Sequence, residues 1–91
     1  MLPEIPTPTA AEIIAYHFSA MDDSVNLITA VVEDDTSFIN DDPDGADGVK
    51  YMVTRNTAHL EFQATKDWYS DSSKSKTSYT NAITIGKAYV A

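Results

Sequence analysis

Residues 9–34 read TAAEIIAYHFSAMDDSVNLITAVVED. The apolar side chains in this stretch recur in steps of four and three, which places them along one side of an α-helix; they are Ile14, Phe18, Met21, Val25, Ile28 and Val32. Asp22 and Asp23 lie off this apolar seam and need not interrupt it. The pattern therefore predicts one long helix over about residues 9–34. The alternative is a break at Asp22-Asp23-Ser24, with Ser24 capping a second helix.

The start of this helix carries its own signal, Thr9-Ala10-Ala11-Glu12. A threonine followed three residues later by glutamate is a capping box, in which each side chain binds the backbone amide of the other residue. Thr7-Pro8 is a competing start one turn earlier. Residues 1–8 contain three prolines, and these predict an extended arm ahead of the helix.

The rest of the chain favours further helices. Residues 35–48, with Pro43, two glycines and five aspartates, predict an acidic loop. Residues 46–67 favour a helix, although alternation around residues 49–64 also fits a hairpin that lacks the glycine of a tight turn. A polar loop over 70–78 precedes a last helix at about 77–90. Gly86 within that helix predicts close packing, because glycine costs a helix about 1 kcal/mol relative to alanine.

The expected architecture is therefore all-α. It is a single small bundle of three helices, or of four, over residues 9–91, with the Pro-rich arm at 1–8. The 91 residues contain no cysteine, which excludes disulfides and thiolate metal sites. No apolar stretch is long enough to span a membrane. The first residues lack the features of a signal peptide, so we expect a protein that is not secreted.

Charge is divided unequally along the chain. Residues 1–48 hold eleven carboxylates and no Lys or Arg, whereas residues 49–91 hold six basic and three acidic residues. The net charge of −8 argues against direct binding to nucleic acid. The division instead favours contacts with charged protein partners, or between the two halves.

The acidic loop contains the sharpest candidate for a ligand site. Asn40, Asp42, Asp44 and Gly45 match positions 1, 3, 5 and 6 of a helix–loop–helix calcium site. The match fails at position 12, where Tyr51 replaces the bidentate glutamate. A solvated acidic turn is therefore the favoured interpretation, and no metal or cofactor is expected.

The remaining candidates are histidines and aromatic residues. His17 and His59 have no neighbour at the spacing of a metal site or a catalytic triad, so both are interpreted as core-edge or surface residues. No catalytic residue is expected. Trp68-Tyr69 is the candidate exposed anchor for a protein partner. The candidate interaction residues are Trp68, Tyr69, Asp41, Asp42 and Asp44.

The second half of the chain carries a resemblance. It contains Arg55-Asn56-x-x-His59-Leu60-Glu61, then Trp68-Tyr69, then Ala82-Ile83-x-x-Gly86-Lys87-Ala88-Tyr89-Val90-Ala91. Over residues 49–91 it resembles small helical proteins encoded by tailed bacteriophages, cyanophages among them. The chain departs from them at Phe62-Gln63-Ala64 and in the Ser- and Lys-rich loop at 70–78. The resemblance implies a phage genome context and a helical fold, and it supplies no active site.

Two functions follow as expectations. The first is a non-enzymatic structural or accessory protein of a phage particle, which binds other virion proteins or itself. The alternative is a small acidic inhibitor or modulator of a host enzyme that binds nucleic acid. The expected location is accordingly the virion or the host cytoplasm.

Overall fold

A computed structural model describes residues 6–34 and 48–91. These residues form four helices and no strand: α1, Ala10–Asp34; α2, Val49–Gln63; α3, Asp67–Asp71; and α4, Thr77–Val90. The all-α prediction is thus confirmed, and residues 49–63 are helix rather than hairpin. The predicted arm at 1–8 and acidic loop at 35–48 lie largely outside the described residues.

Helix α1 runs without a break through Asp22 and Asp23, as the apolar seam predicted. Its capping box is formed as predicted. The Thr9 amide donates to Glu12 Oε1 at 3.1 Å, and the Glu12 amide donates to Thr9 Oγ1 at 3.2 Å. The hydrogen bond from the Thr9 amide, followed by the effect of the Thr9 side chain, holds the pKa of the Glu12 carboxyl below its usual value.

The core lies where the seam of α1 meets α2, α3 and α4. Its buried members come from all four helices; they are Phe18, Met21, Ile28, Val53, Leu60, Tyr69, Tyr79 and Ala82. Burying one large apolar side chain stabilises a fold by about 1.5 to 3 kcal/mol, and this cluster holds the bundle together. The remaining seam residues Ile14, Val25 and Val32 pack against it while partly exposed.

The second helix ends four residues earlier than the predicted 67. The Thr65 amide bonds to the Phe62 carbonyl and the Lys66 amide to the Gln63 carbonyl, which tightens the last turn. The Thr65 hydroxyl also donates to the Phe62 carbonyl at 2.6 Å. The chain then bends into α3, a short helix inside a stretch that was predicted as the end of α2 and the start of a loop. This bend brings Tyr69 into the core.

Helices α2 and α4 approach each other closely at Gly86. A methyl group at this position would overlap with Thr57 Oγ1 and would lie 3.3 Å from Thr57 Cβ. Both residues are buried. The close packing predicted from a glycine inside a helix is therefore confirmed, and the last helix occupies the predicted residues 77–90.

Candidate functional site

Trp68 and Tyr69 lie in an aromatic cluster at the junction of α1 and α3. Tyr69 is only 7% exposed and contacts the Phe18 and Tyr79 rings, with centroids at 6.0 and 6.1 Å. Trp68 is half-buried, stacks on His17 at 5.0 Å and meets the edge of Phe18 at 5.2 Å. The expectation that both residues form an exposed anchor is wrong for Tyr69. Its ring belongs to the core because α3 turns it inward.

Trp68 retains one accessible side. It lines a groove of about 580 Å³ between the first turns of α1 and the end of α3, together with Ala11, Ile14, Asp71, Ser72 and Ser73. A neighbouring groove of about 360 Å³ continues along α1 past Phe18 to Asp22 and Lys74. Each groove is lined by apolar and polar side chains in equal number. The role of Trp68 as an interaction residue stays a prediction.

A buried polar cluster joins α1 to α2. Ser24 is 3% exposed, and its Oγ lies 2.8 Å from Asn56 Oδ1 and 2.8 Å from His59 Nδ1. The Asn56 side-chain amide is oriented by its Nδ2, which donates to the Met52 carbonyl at 2.8 Å. Asn56 Oδ1 therefore accepts the Ser24 hydroxyl proton. Since that single proton is used, His59 must donate from Nδ1 to Ser24 Oγ.

The positions of these protons determine whether His59 can act as a base for the Ser24 hydroxyl. The Ser24 hydroxyl donates to an amide oxygen instead of to the imidazole, so His59 does not act as its base. The hydroxyl is also buried. The arrangement is that of an interhelical connector, in which the Ser24 hydroxyl donates one hydrogen bond and accepts another.

A second polar contact joins α1 to α4. The fully buried Tyr79 donates its hydroxyl to Asp22 Oδ1 at 2.7 Å. Burial in the core, followed by the hydrogen bond to the Asp22 carboxylate, raises the pKa of the Tyr79 hydroxyl well above its usual value. The phenol therefore stays protonated and can donate. Asp22, which lies off the apolar seam of α1, thus binds to a neighbouring helix.

Sequence reasoning missed the contact between Ser24 and His59. It interpreted His59 as a core-edge or surface residue; the ring is partly buried, and its partner is 35 residues away in the chain. One signal was available. Ser24 lies three residues after Met21 and four before Ile28, so it shares the inward side of α1 with two core residues.

The outer side of α2 carries two aromatic rings, each beside a cation: Arg55 within the helix, and Lys66 three residues after its end. Arg55 lies 5.8 Å from the Tyr51 ring centroid, and its Nη1 donates to the Tyr51 hydroxyl at 3.1 Å. Lys66 Nζ lies 4.2 Å from the Phe62 ring centroid. Phe62 is 59% exposed, unusually for such a residue. We call this set the α2 stripe: Tyr51, Arg55, Ala58, Phe62 and Lys66.

The outer side of α1 has the opposite charge. Its exposed residues recur in steps of four and three, as the buried seam does; they are Glu12, Tyr16, Ser19, Asp23, Asn26, Ala30 and Glu33. This set, the α1 stripe, contains three carboxylates and no cation. Tyr16 is 72% exposed. The α1 stripe is thus an acidic surface with one large aromatic side chain.

Cations of the second half do not neutralise the α1 stripe within the chain. Across residues 6–34 and 48–91, the single ion pair joins Lys87 Nζ of α4 to Glu61 Oε2 of α2 at 2.9 Å. Both of its partners come from the second half. The expected contact between the two halves is therefore made by apolar packing and hydrogen bonds, while the opposite charges of the α1 and α2 stripes face outward.

The remaining candidates are the acidic loop residues, a metal site and a membrane-spanning helix. Asp41, Asp42 and Asp44, together with the calcium-like loop, lie outside the described residues. In the part of the chain that is described, no group of three or more His, Cys, Asp or Glu residues could hold a metal ion. No described helix has the length and hydropathy needed to cross a membrane.

Comparisons with protein families, with characterised proteins and with solved structures find no match to this chain.

Proposed function

We propose that this chain is a non-enzymatic protein of a bacteriophage particle, or of its assembly, and that it acts through protein–protein contacts. The observation that carries the proposal is the segregation of charge and exposed aromatic rings onto two outer helix surfaces. Tyr and other aromatic side chains beside cations are typical anchors of protein interfaces. The phage context is supported by the resemblance of residues 49–91 alone.

The arrangement of the buried groups supports a binding role over a chemical one. The buried serine is hydrogen-bonded to an amide oxygen, and the histidine beside it donates to that serine. The exposed side chains, by contrast, offer charge and aromatic area to a protein partner. Covering exposed aromatic area of this kind with another protein is energetically favourable.

The test is quantitative peptide mass spectrometry on purified particles of the phage that encodes the chain. We expect peptides of this protein at a fixed ratio to the major capsid protein, and that ratio would indicate head or tail symmetry. A phage-encoded replication enzyme serves as the control for contamination. Absence from particles, at a depth that detects the minor structural proteins, would contradict a virion role.

A second candidate is a small acidic inhibitor of a host enzyme that binds nucleic acid. The row of carboxylates along the α1 stripe favours it, because carboxylates on an exposed surface can replace phosphates. Such a contact between the inhibitor and the host enzyme would weaken steeply as salt rises. Replacing Asp23 by Asn and Glu33 by Gln should weaken inhibition through the α1 stripe, and replacing Asp41, Asp42 and Asp44 together by Asn tests the acidic loop. Unchanged inhibition by this triple variant would contradict mimicry through the acidic loop.

A further inference from the structure

We propose that the α2 stripe of one molecule binds the α1 stripe of a second copy of this chain. This inference rests on the proposed function, since it names the partner and the surface of a protein–protein contact. The α2 stripe presents two cations, one beside the partly exposed Tyr51 ring and one beside the exposed Phe62 ring. The α1 stripe presents three carboxylates without a cation. The two surfaces are therefore complementary in charge.

The spacing between the two aromatic rings that hold the cations also matches the spacing between the carboxylates of the α1 stripe. The rings that hold the two cations, Tyr51 and Phe62, are eleven residues apart, which is about 16 Å along a helix. In the α1 stripe, Glu12 and Asp23 are also eleven residues apart, and Asp23 and Glu33 are ten, or about 15 Å. Two helices packed side by side can therefore bring both cations against two carboxylates at the same time.

The cations of the α2 stripe are already held in place. The Arg55 guanidinium is fixed by the Tyr51 hydroxyl one turn earlier, and the Lys66 ammonium lies over the Phe62 ring. Binding then costs less side-chain entropy than it would with free cations. The small Ala58 between the two pairs lets a partner helix approach closely.

The partner helix must come from another molecule. Within one chain, α1 and α2 already pack through their inner sides, at Ser24 and Asn56. Their outer sides face away from that contact and cannot meet. Two α2 stripes, or two α1 stripes, would repel each other. The contact therefore joins unlike surfaces of successive copies, and it yields a ring if the rotation closes and a filament if it does not.

Single-stranded nucleic acid is the competing occupant of a surface that alternates aromatic rings with cations. The α2 stripe holds only two cations, in a chain whose net charge is −8. Long-range repulsion from the carboxylates would oppose a polyanion. A second copy also carries a net charge of −8, but its α1 stripe brings only three carboxylates to the contact, whereas a polynucleotide brings a phosphate at every nucleotide.

The test uses two charge-reversed full-length variants. Arg55→Glu with Lys66→Glu makes the α2 stripe acidic, and Asp23→Lys with Glu33→Lys makes the α1 stripe basic. Each variant carries two surfaces of the same sign and should be monomeric in sedimentation velocity. An equimolar mixture should associate again, because every contact then joins opposite charges. The wild type should associate at about 50 mM salt and dissociate at about 500 mM.

The control for the Arg55→Glu, Lys66→Glu variant is Lys74→Glu with Ser73→Glu and Ser78→Glu, which makes the same change in net charge at exposed residues away from the α2 stripe and keeps the ion pair of Lys87 with Glu61. It should associate as the wild type does, and circular dichroism should show that every variant remains helical. We expect the two stripe variants to weaken association at least tenfold.

A wild type that is monomeric at low salt, or an Arg55→Glu, Lys66→Glu variant that associates like the wild type, would overturn the inference. So would a monomeric wild type that binds a single-stranded oligothymidine in fluorescence anisotropy. If this monomer were detected in virions, the self-association inference would fail while the proposed virion function would be retained. The failure of one can therefore be told apart from the failure of the other.

Discussion

Ser24 and Thr57 are buried hydroxyl residues at two helix–helix contacts, and they differ in hydrogen bonding. Ser24, 3% exposed, joins α1 to α2 through hydrogen bonds with Asn56 and His59. Thr57, 4% exposed, faces Gly86 where α2 meets α4, and its Oγ1 has no hydrogen-bond partner among the described residues. One contact is held by hydrogen bonds, and the other by the fit of shapes.

Burial alone therefore does not predict what a hydroxyl contributes to the free energy of unfolding. A hydrogen-bonded hydroxyl leaves its partners unpaired when it is removed, and this costs about 1 to 3 kcal/mol. An unpaired buried hydroxyl already carries the desolvation cost, so its removal should stabilise the fold. The contact at Thr57 should instead be sensitive to added volume.

The largest effect should come from added volume at the α2–α4 contact. Gly86→Val places a branched side chain where even a methyl group overlaps with Thr57 Oγ1. Overpacking of this kind typically costs about 1 to 3 kcal/mol, and we expect about 3 kcal/mol because both residues are buried helix residues. Urea unfolding followed by circular dichroism measures the change.

Ala88→Val is the matched control, since Ala88 is exposed on the same helix and loses only helix propensity, about 0.7 kcal/mol or less. Thr57→Ala should recover part of the loss in the Gly86→Val background, because it removes the atom that collides first. Equal effects of the Gly86 and Ala88 changes would refute the close contact.

The next effect should come from the hydrogen-bonded hydroxyl. Ser24→Ala leaves Asn56 Oδ1 and His59 Nδ1 without their common partner, and we expect a loss of about 2 kcal/mol in the free energy of unfolding. Ser19→Ala, on the exposed side of the same helix, should change it by less than about 0.5 kcal/mol. If both changes were equally mild, Ser24 would not be the connector of α1 and α2.

A smaller loss in the free energy of unfolding is expected when the buried Tyr79 hydroxyl is removed. Tyr79→Phe removes the hydrogen bond to the Asp22 carboxylate, and the expected loss is about 1.5 kcal/mol, because hydrogen bonds to charged groups contribute about that much or more. Tyr69→Phe is the control. The Tyr69 hydroxyl is buried without a hydrogen-bond partner in the described part of the chain, so its removal should cost nothing.

The pH dependence sharpens this comparison. The pKa of the Tyr79 hydroxyl is raised in the folded protein, by burial and by Asp22, relative to its value of about 10 in the unfolded chain. Its contribution to stability is therefore complete below about pH 10 and falls as the pH rises above that value. Burial also raises the pKa of Tyr69, so Tyr79→Phe should flatten the alkaline decline only in part. An unaltered decline would exclude Tyr79 as a contributor.

The smallest effect has the opposite sign. Thr57→Val replaces the unpaired Oγ1 by a methyl group of similar shape, and we expect a gain of about 1 kcal/mol in the free energy of unfolding. Thr54→Val is the control, because the Thr54 hydroxyl is exposed and donates to the Lys50 carbonyl at 2.8 Å. A loss of stability in Thr57→Val would mean that its hydroxyl finds a partner after all.

Much of the fold could be predicted from the sequence because its signals are local. The capping box at Thr9 and Glu12 formed as predicted, since its hydrogen bonds join residues three apart. The seam of α1 supplied Phe18, Met21 and Ile28 to the core, because the helix period alone places them on one side. The end of α2 and the existence of α3 could not be predicted, because they depend on the Thr65 turn and on the burial of Tyr69.

The candidate surfaces show the same division. The excess of carboxylates in residues 1–48 could be read directly from the sequence. That Glu12, Asp23 and Glu33 of the α1 stripe are exposed without an ion pair to the second half depends on the packing of all the helices. The burial of Tyr69, against the predicted exposed anchor, also followed from packing, because a short helix can turn either side toward the core.

The sequence by itself determined the helical class, the start of α1, its inward side and the unequal charge of the two halves. These depend on periodicity, capping and composition, which act between residues close together in the chain. Only the tertiary structure decided that Ser24 bonds to His59, that Thr57 meets Gly86, and that the two outer stripes have opposite charge. Each of these joins or compares residues far apart in the chain, and their proximity results from how the helices pack around one core.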